Sequence, residues 1–447
     1  MKILIISYSY KPAITPRSFR WSAIAEHWVK QGHHVDVVCA WMAGLSRNQT
    51  LNGVHVHRVG GTISELLRSQ LKKSVAYPNA EKSKFPADDA STSSQKIKYG
   101  LAYLSKWIHD HTWKKVYWPD YAGLWYLPAL LKARQLINGH HYDGIISVSH
   151  PFTGHLVGLS LKKSYPKIKW LVDVGDPFCF AHDAPTNNHK LYQNLNYLME
   201  EKVFVSADAV AVTTASTLTT YTSLFPESIE KITIIPPLLS NWDAQDNESE
   251  REKLFPEDEK IRLIFLGTLY SSIRRPDFLL KLFLNIIENE PSLAAKLELH
   301  FFGKIYDCQY SFKPYNTLMG KNLFTHGIVN HAKAKQAMQE ADVLVNIGNK
   351  TPYRLPSKLV EYARSGKPLL NLIEIDDDSS LMFLKKYPGK ILNIINEKAS
   401  VDKNKINETI KFIHNLHEPI ECTDLDQWLK PFDITQISSS YQNIFNP

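Results

Sequence analysis

The sequence predicts an α/β protein built from two doubly wound parallel-sheet domains. Three observations predict it: short apolar runs alternating with helical patterns at βαβ spacing, a polar acidic break past the middle, and a restart of the same rhythm beyond it. At 447 residues the chain is too long for one ordinary core and suits two domains of roughly 200 residues each.

The first half opens with an apolar strand, Lys2 to Tyr8, and a turn-rich YKPAITPRS. Trp21, Ile24, Ala25 and Trp28 then recur at helical spacing. Thr15 suits the cap of that helix, Pro16 its first turn and Gly32 the residue just past its end. The next strand is Val35 to Cys39, which completes a βαβ unit with a right-handed crossover. Gly144–Val148, Trp170–Val174 and Ala209–Thr213 read as further strands. From Asn241 to Lys260 the composition turns polar and acidic, which marks a linker. Beyond it, Ile261–Leu266, Leu297–Phe302, Asp342–Ile347 and Leu369–Ile373 read as strands, and Ser357–Arg364 as a helix stopped by Gly366. SADAVAVTT (Ser206–Thr214) and EADVLVNIG (Glu340–Gly348) are similar in kind, one in each half.

Composition narrows the class. A hydrophobic fraction of 44% with 22% charged residues is ordinary for a globular protein, and no apolar run reaches the ~18 residues of a membrane span. MKILIISYSY lacks a long apolar core and a small-residue cleavage site, so it reads as a first strand and not a signal peptide. Cys39, Cys179, Cys308 and Cys422 are scattered, which argues against a disulfide framework or zinc site and fits a cytoplasmic setting. The net charge of +7 suits anionic ligands or an anionic membrane face. With no zinc-finger or RNA-binding signature, nucleic acid is not expected. Thr62–Lys115 breaks the pattern: Lys and Arg outnumber Asp and Glu ten to five there, with aromatics interleaved. It reads either as a solvated helical excursion or as a surface resting on anionic lipid.

Ligands bind beyond the carboxyl ends of parallel strands, so the loops after each strand are the places to look. No GxGxxG follows the first strand and no GxxxxGK[ST] occurs, which argues against a dinucleotide dehydrogenase and a P-loop NTPase. In TPYRLPSKLVEYARSGKPLL, Pro356 and Ser357 fit a helix start whose free N–H groups attract phosphate, with Lys358 adding charge in the first turn. In FLGTLYSSIRRPDFLL, a strand ends at Gly267 and Arg274 and Arg275 precede a helix opened by Pro276. Guanidinium groups suit a diphosphate because they bind it bidentately and stay charged. Arg17 and Arg20 sit in the first turn of the first helix, where cations are disfavoured without a nearby anion. SVSHPFTGHLVG and WLVDVGDPF place His150, His155, Asp173 and Asp176 near strand ends. Asp376–Asp378 has a DxD spacing but reads as a solvated turn, so no metal is expected.

The pattern P-S-K-L-x-E-Y-x-x-x-G-K-P (Pro356–Pro368) closely resembles the donor-binding segment of family 4-type retaining glycosyltransferases with the GT-B fold. The resemblance runs from Met1 to about Ile391, outside much of Thr62–Lys115. It implies two Rossmann-like domains facing across a cleft: an acceptor-binding domain over 1–240 with the 62–115 insertion, a linker over 241–260, and a nucleotide-sugar-binding domain over 261–423. The tail, 424–447, is then expected to cross back to the first domain. It further implies that Glu361 holds the nucleotide ribose, and that backbone near Leu359 and Val360, with Gly267, Ser357, Lys358, Arg274 and Arg275, meets the diphosphate. His150, Asp176, Arg17 and Arg20 become acceptor-side candidates, with His150 orienting or deprotonating the acceptor and Arg274 stabilising the leaving phosphate.

The sequence departs from the family in three places. Arg354 stands where a glutamate often contacts the donor sugar, which makes an anionic sugar thinkable. Thr268 stands where a first basic residue follows the strand glycine. Ala13 and Ile14 replace two glycines of the first loop. The expected activity is retaining, metal-independent transfer from a UDP- or GDP-sugar to a glycan or lipid-linked glycan, as in surface polysaccharide synthesis, with no required cofactor. A cytoplasmic place is expected, with or without peripheral contact at the cytoplasmic membrane. A GT-B nucleotide-sugar epimerase, a pyridoxal-phosphate-bearing phosphorylase and an inactive nucleotide- or glycan-binding subunit are the rival readings.

Overall fold

A computed structural model describes residues 1–61, 116–182, 185–239, 253–305, 308–396, 401–416 and 422–445. The basic segment Thr62–Lys115, and with it the reading of a lipid-facing surface, lies outside the described residues. The chain divides into two compact units, one of Met1–Ile235 with Ile437–Pro447, the other of Pro236–Gln436.

The first unit is a sheet in the order β3-β4-β2-β1-β5-β6-β7-β8. Its strands are β1 (Lys2–Ser7), β2 (His34–Ala40), β3 (Asn48–Leu51), β4 (Val54–Val59), β5 (Gly144–Val148), β6 (Lys169–Val174), β7 (Ala209–Val212) and β8 (Ile232–Ile234). All neighbours run parallel except the β3–β4 hairpin. The order reverses between β1 and β5, so the loops after these two strands flank the switch point where such sheets bind ligands.

Helix α1 (Pro16–Lys30) starts where the sequence places it. Thr15 caps it by accepting from the Ser18 N–H, and Gly32 takes a left-handed φ of 85° just past its end. Its apolar stripe is fully buried, with Trp21, Ile24, Ala25 and Trp28 at 0% exposure. Among the described residues, four more helices belong to this unit: α2 (Tyr126–Gly139), α3 (Thr153–Ser164), α4 (His189–Ser206) and α5 (Ala215–Leu224).

The C-terminal residues from Ile437 complete this core. The Tyr441 hydroxyl donates to Asp173 Oδ1 at 2.6 Å and accepts from the Arg20 guanidinium at 2.9 Å. Asp173 Oδ2 accepts from Trp21 Nε1 at 2.8 Å, and Arg20 also donates to the Ile235 carbonyl. All four side chains are buried, so the charges are matched inside the core and not in solvent. Gly144 admits this segment: a Cβ there would lie 2.2 Å from the Phe445 ring.

The second unit is an all-parallel sheet in the order β11-β10-β9-β12-β13-β14. The strands are β9 (Ile261–Leu266), β10 (Leu297–Phe302), β11 (Leu323–Gly327), β12 (Val343–Ile347), β13 (Leu369–Ile373) and β14 (Ile391–Ile395). Alternation along β9 builds two cores at once. Leu263 and Phe265 pack with Phe278, Leu279, Leu282 and Phe283 of α6 (Asp277–Asn289). Ile264 and Leu266 pack on the opposite face with Leu359, Tyr362 and Ala363 of α10 (Ser357–Arg364), the short helices α7 (Pro291–Ala294) and α8 (Gln309–Phe312) and then α9 (His331–Gln339) lying between these two in sequence. Both faces are covered, which explains why these strands read as continuous apolar runs. Among the described residues α11 (Ser379–Leu384), α12 (Lys403–His414) and α13 (Cys422–Leu429) follow in this unit, and α14 (Ile434–Phe445) belongs from Ile437 onward to the first unit. Within the acidic stretch, Leu254 and Phe255 donate their N–H groups to the Glu340 carboxylate, so its described part is tied to this unit. Here the order reverses between β9 and β12.

Two predictions follow from the first unit's interior. Tyr441→Phe leaves Asp173 and Arg20 each one partner short, so urea denaturation should show a loss of about 1–3 kcal/mol; an unchanged midpoint would contradict the network. His155 is buried, with Nδ1 bonded to Ser147 Oγ, and burial lowers its pKa to about 3, with Arg17 adding to the effect and Asp173 opposing it. The unfolded chain therefore takes up this proton first. The contribution is present above about pH 6.5 and is lost as pH falls toward about 3. Melting temperature against pH should fall less steeply below pH ~6.5 in His155→Phe than in the parent chain.

Candidate functional site

At the switch point of the second sheet, backbone bonds first fix two loops. The Gly267 N–H donates to the Phe302 carbonyl at 2.9 Å, and the Leu269 N–H to the Lys304 carbonyl at 2.8 Å. Tyr270 and Arg274 exchange N–H···O bonds of 3.0 and 2.8 Å, which closes the 270–274 loop on itself. The Lys350 N–H donates to the Ile273 carbonyl, tying that loop to the one after β12. Gly303 is required by this arrangement. Its φ is 128°, and a Cβ would stand 1.9 Å from the Gly267 carbonyl oxygen.

Arg274 is held by these loops. One terminal nitrogen donates to Asn349 Oδ1 at 2.8 Å, and Asn349 in turn donates to the Arg354 carbonyl at 2.6 Å. The Arg274 Nε is buried and finds no hydrogen-bond acceptor among the described residues. Burial depresses the guanidinium pKa, while Tyr362, Asp378 and Tyr270 oppose that effect. Asp378 is the nearby counter-charge. It is 1% exposed, caps α11 through Oδ1 to the Ser380 N–H, and leaves Oδ2 buried without a hydrogen-bond partner among the described residues. Burial raises its pKa, with Ser380 and Arg274 pulling the other way. The expectation of a solvated turn at Asp376–Asp378 is therefore corrected: Asp376 and Asp377 are exposed, but Asp378 turns inward to cap a helix near the half-buried Arg274. Gly348 makes room for it, since a Cβ there would lie 2.1 Å from Asp378 Oδ2.

Helix α10 begins at the end of the same β12 loop. Pro356 holds the N-cap position, and no side chain caps the first turn. Lys358 Nζ lies 2.6 Å from Glu361 Oε2, with the carboxylate side chain 12% exposed. One turn of helix thus brings together a cation, a carboxylate and first-turn N–H groups, of which that of Leu359 already donates to the Pro356 carbonyl at 3.0 Å. Leu359 and Val360 are buried, so only their backbone is available to a ligand. Tyr362 lies between the two clusters: its hydroxyl is bonded to the Leu266 backbone, and burial raises its pKa, with Arg274 opposing and Glu361 adding to the shift.

The other basic candidates diverge. Arg275 is exposed and grips Asp277 through two bonds of 2.9 and 3.1 Å. Such a surface pair contributes about 0–1 kcal/mol. Arg354 is half-buried, and its carbonyl accepts from Asn349 and Ser379.

In the first unit, His150 follows β5 at the switch point. Its ring meets Tyr121 edge-on at 5.4 Å; Tyr121 meets Tyr8 at 5.5 Å, and Tyr8 meets Trp125 at 5.4 Å. Asp120 anchors this aromatic group by accepting from the Ala122 N–H and from the Thr153 N–H and hydroxyl. The Arg17 guanidinium lies flat over Gly175, where a Cβ would come within 2.0 Å, and 3.9 Å from Asp173. Asp176 is half-buried just past β6. Arg20, by contrast, is spent on Tyr441 and Ile235 inside the core, and His155 and Asp173 are core groups as well. Sequence reasoning missed Asn349, Tyr8, Tyr121 and Asp120, and misread Asp378. No local spacing marks them, because sheet order alone makes them neighbours.

Gly303→Ala should displace the Gly267 loop and destabilise the protein by more than about 2 kcal/mol, since this backbone region is essentially restricted to glycine. Chemical denaturation checks it, and a loss below about 0.5 kcal/mol would show that the close contact is not a constraint.

No family model matches the chain, and no curated protein matches it in sequence. Solved structures do match over nearly the whole length. Trehalose-6-phosphate synthase OtsA aligns with a TM-score of 0.62 at 10% identity, covering 100% of this chain and 99% of that one. The catalytic domain of starch synthase IV from Arabidopsis thaliana, solved with ADP and acarbose, aligns at 0.59 and 8% identity, covering 100% and 98%. A glycosyltransferase from Rickettsia africae aligns at 0.55 and 12% identity, covering 99% and 97%. At these identities the likeness concerns architecture. With two parallel-sheet Rossmann-like units, the chain has the GT-B fold.

Proposed function

We propose that the protein is a glycosyltransferase that moves a sugar from a nucleotide-sugar to a glycan or lipid-linked glycan, with retention and without a metal. One observation carries the reading: a half-buried guanidinium, whose buried Nε meets no acceptor among the described residues, sits at the switch point of the second sheet beside an uncapped helix start. Both features favour phosphate, the first by charge and the second by free N–H groups.

In this reading Arg274, Lys358 and the backbone from Ser357 to Val360 neutralise the diphosphate, with the Gly267 loop as its floor. Glu361 exchanges its bond to Lys358 for the ribose hydroxyls. Arg354 faces the donor sugar, which favours a sugar carrying a carboxylate, and Arg275 stays at the rim. The bond between the anomeric carbon and the β-phosphate oxygen breaks, and its electron pair leaves with the phosphate. The acceptor oxygen attacks from the same face, and its proton passes to the departing phosphate or to His150. Arg274 acts because its charge is placed before the leaving phosphate develops its own.

The acceptor is assigned to the first unit. The aromatic group Tyr8–Tyr121–His150 offers flat apolar faces for a sugar ring, and Asp176 and Arg17 offer polar contacts at its edge. Arg20 is left out because its guanidinium is buried and bonded. A cytoplasmic position with peripheral membrane contact agrees with the net charge of +7. No helix among the described residues is long and apolar enough to cross a membrane.

A thermal-shift panel of UDP, GDP and their sugar conjugates tests the donor side. One nucleoside diphosphate should stabilise the protein, by about 2.7 kcal/mol at a hundred times its Kd. Arg274→Gln and Glu361→Gln should each remove most of that shift. No response to any nucleotide, or an unchanged response in Arg274→Gln, would contradict the assignment. Release of free sugar from donor alone would favour an epimerase.

A further inference from the structure

Away from the strand ends that carry the proposed chemistry, the first sheet holds a second cluster of ligand-type side chains. β2 begins with His34 and continues to Asp36; β4 carries His55 and His57. The parallel register pairs Asp36 with His55 and Val38 with His57. Because side chains alternate, His34, Asp36, His55 and His57 all fall on one face of the sheet. One ligand atom from each of His34, Asp36 and His55 lies within 4.8 Å of the other two. The His34 and His55 ring centroids are 4.8 Å apart.

The carboxylate at the centre is prepared by its neighbours. Asp36 is 3% exposed. Its Oδ2 lies 2.8 Å from His34 Nε2 and accepts from the Tyr142 hydroxyl at 2.7 Å, while Oδ1 lies 2.8 Å from His57 Nε2. The contacts with His57, Tyr142 and His34 fix the orientation of both carboxylate oxygens. His57 is fixed from its other side, with Nδ1 3.0 Å from Asn48 Oδ1. His34 is half-buried and His55 exposed, so the face is open to solvent.

We propose that His34, Asp36 and His55 form a binding site for one divalent transition-metal ion of the zinc class. Two imidazoles and a carboxylate are a donor set that suits this class. Three protein ligands leave a fourth position for water. Ring nitrogens and a carboxylate oxygen now within 4.8 Å must close to about 3.3 Å, a shift of about 1.5 Å for the widest pair, since tetrahedral zinc–nitrogen bonds are about 2.0–2.1 Å; the exposed His55 has room to make it. His57 and Tyr142 then serve as positioning residues that orient the carboxylate. The site lies toward the amino ends of β2 and β4, opposite the end where the sheet binds organic ligands. Its effect is to clamp neighbouring strands at the sheet's edge, not to take part in sugar transfer.

Metal-free protein titrated with Co2+ tests this directly, read by visible absorption and by bound metal per chain. One tight equivalent with the intense absorption of tetrahedral cobalt is expected, together with a higher melting temperature in Zn2+. His34→Ala/His55→Ala should weaken binding at least a hundredfold, and His57→Gln about tenfold, with nucleotide response intact in both. Absorption identical to free aqueous cobalt would overturn the proposal. So would one tight equivalent retained by the His34→Ala/His55→Ala protein.

Discussion

A half-buried guanidinium whose buried Nε its own protein does not satisfy is the constraint around which the second unit is arranged. Removing a cation from water costs several kcal/mol unless charge and hydrogen bonds replace hydration. For Arg274 the replacement is incomplete: one bond to Asn349, the field of a buried Asp378, and an Nε without an acceptor among the described residues. The backbone bonds of the 270–274 loop and the glycine contact at Gly303 hold the side chain in place. Such a group is ready for an anion and stands at the sheet's switch point.

The first unit treats a buried cation differently. Arg20 donates to Tyr441 and to a backbone carbonyl, and Tyr441 in turn donates to Asp173. That network is directed inward and closes the core with the last helix. Two arginines that look alike in sequence, each near a helix start, thus serve opposite ends. What distinguishes them is whether protein groups meet the guanidinium, and that is a property of packing.

The architecture was largely legible because parallel strands buried on both faces leave continuous apolar runs, as Ile261–Leu266 and Gly144–Val148 do. Helix ends were legible where cap chemistry is local: Thr15 and Gly32 around α1, Pro356 and Gly366 around α10. The P-S-K-L-x-E segment pointed to the helix start because its parts are adjacent in the chain. Asn349 and Asp378 stayed hidden because they meet Arg274 only through the order β9-β12-β13. The DDD run misled for a related reason, since composition does not reveal which carboxylate caps a helix. HxD at His34–Asp36 and HxH at His55–His57 were passed over in the same way, as only the register of β2 with β4 makes them neighbours.

The central claim is that affinity for the donor resides in its two phosphates and is supplied by Arg274. Isothermal titration of the preferred nucleoside diphosphate against the matching nucleoside measures this. The account predicts that the diphosphate binds at least a hundredfold more tightly, and that Arg274→Gln collapses the difference to about tenfold or less. Equal affinities for the two, or a difference that survives Arg274→Gln undiminished, would contradict it.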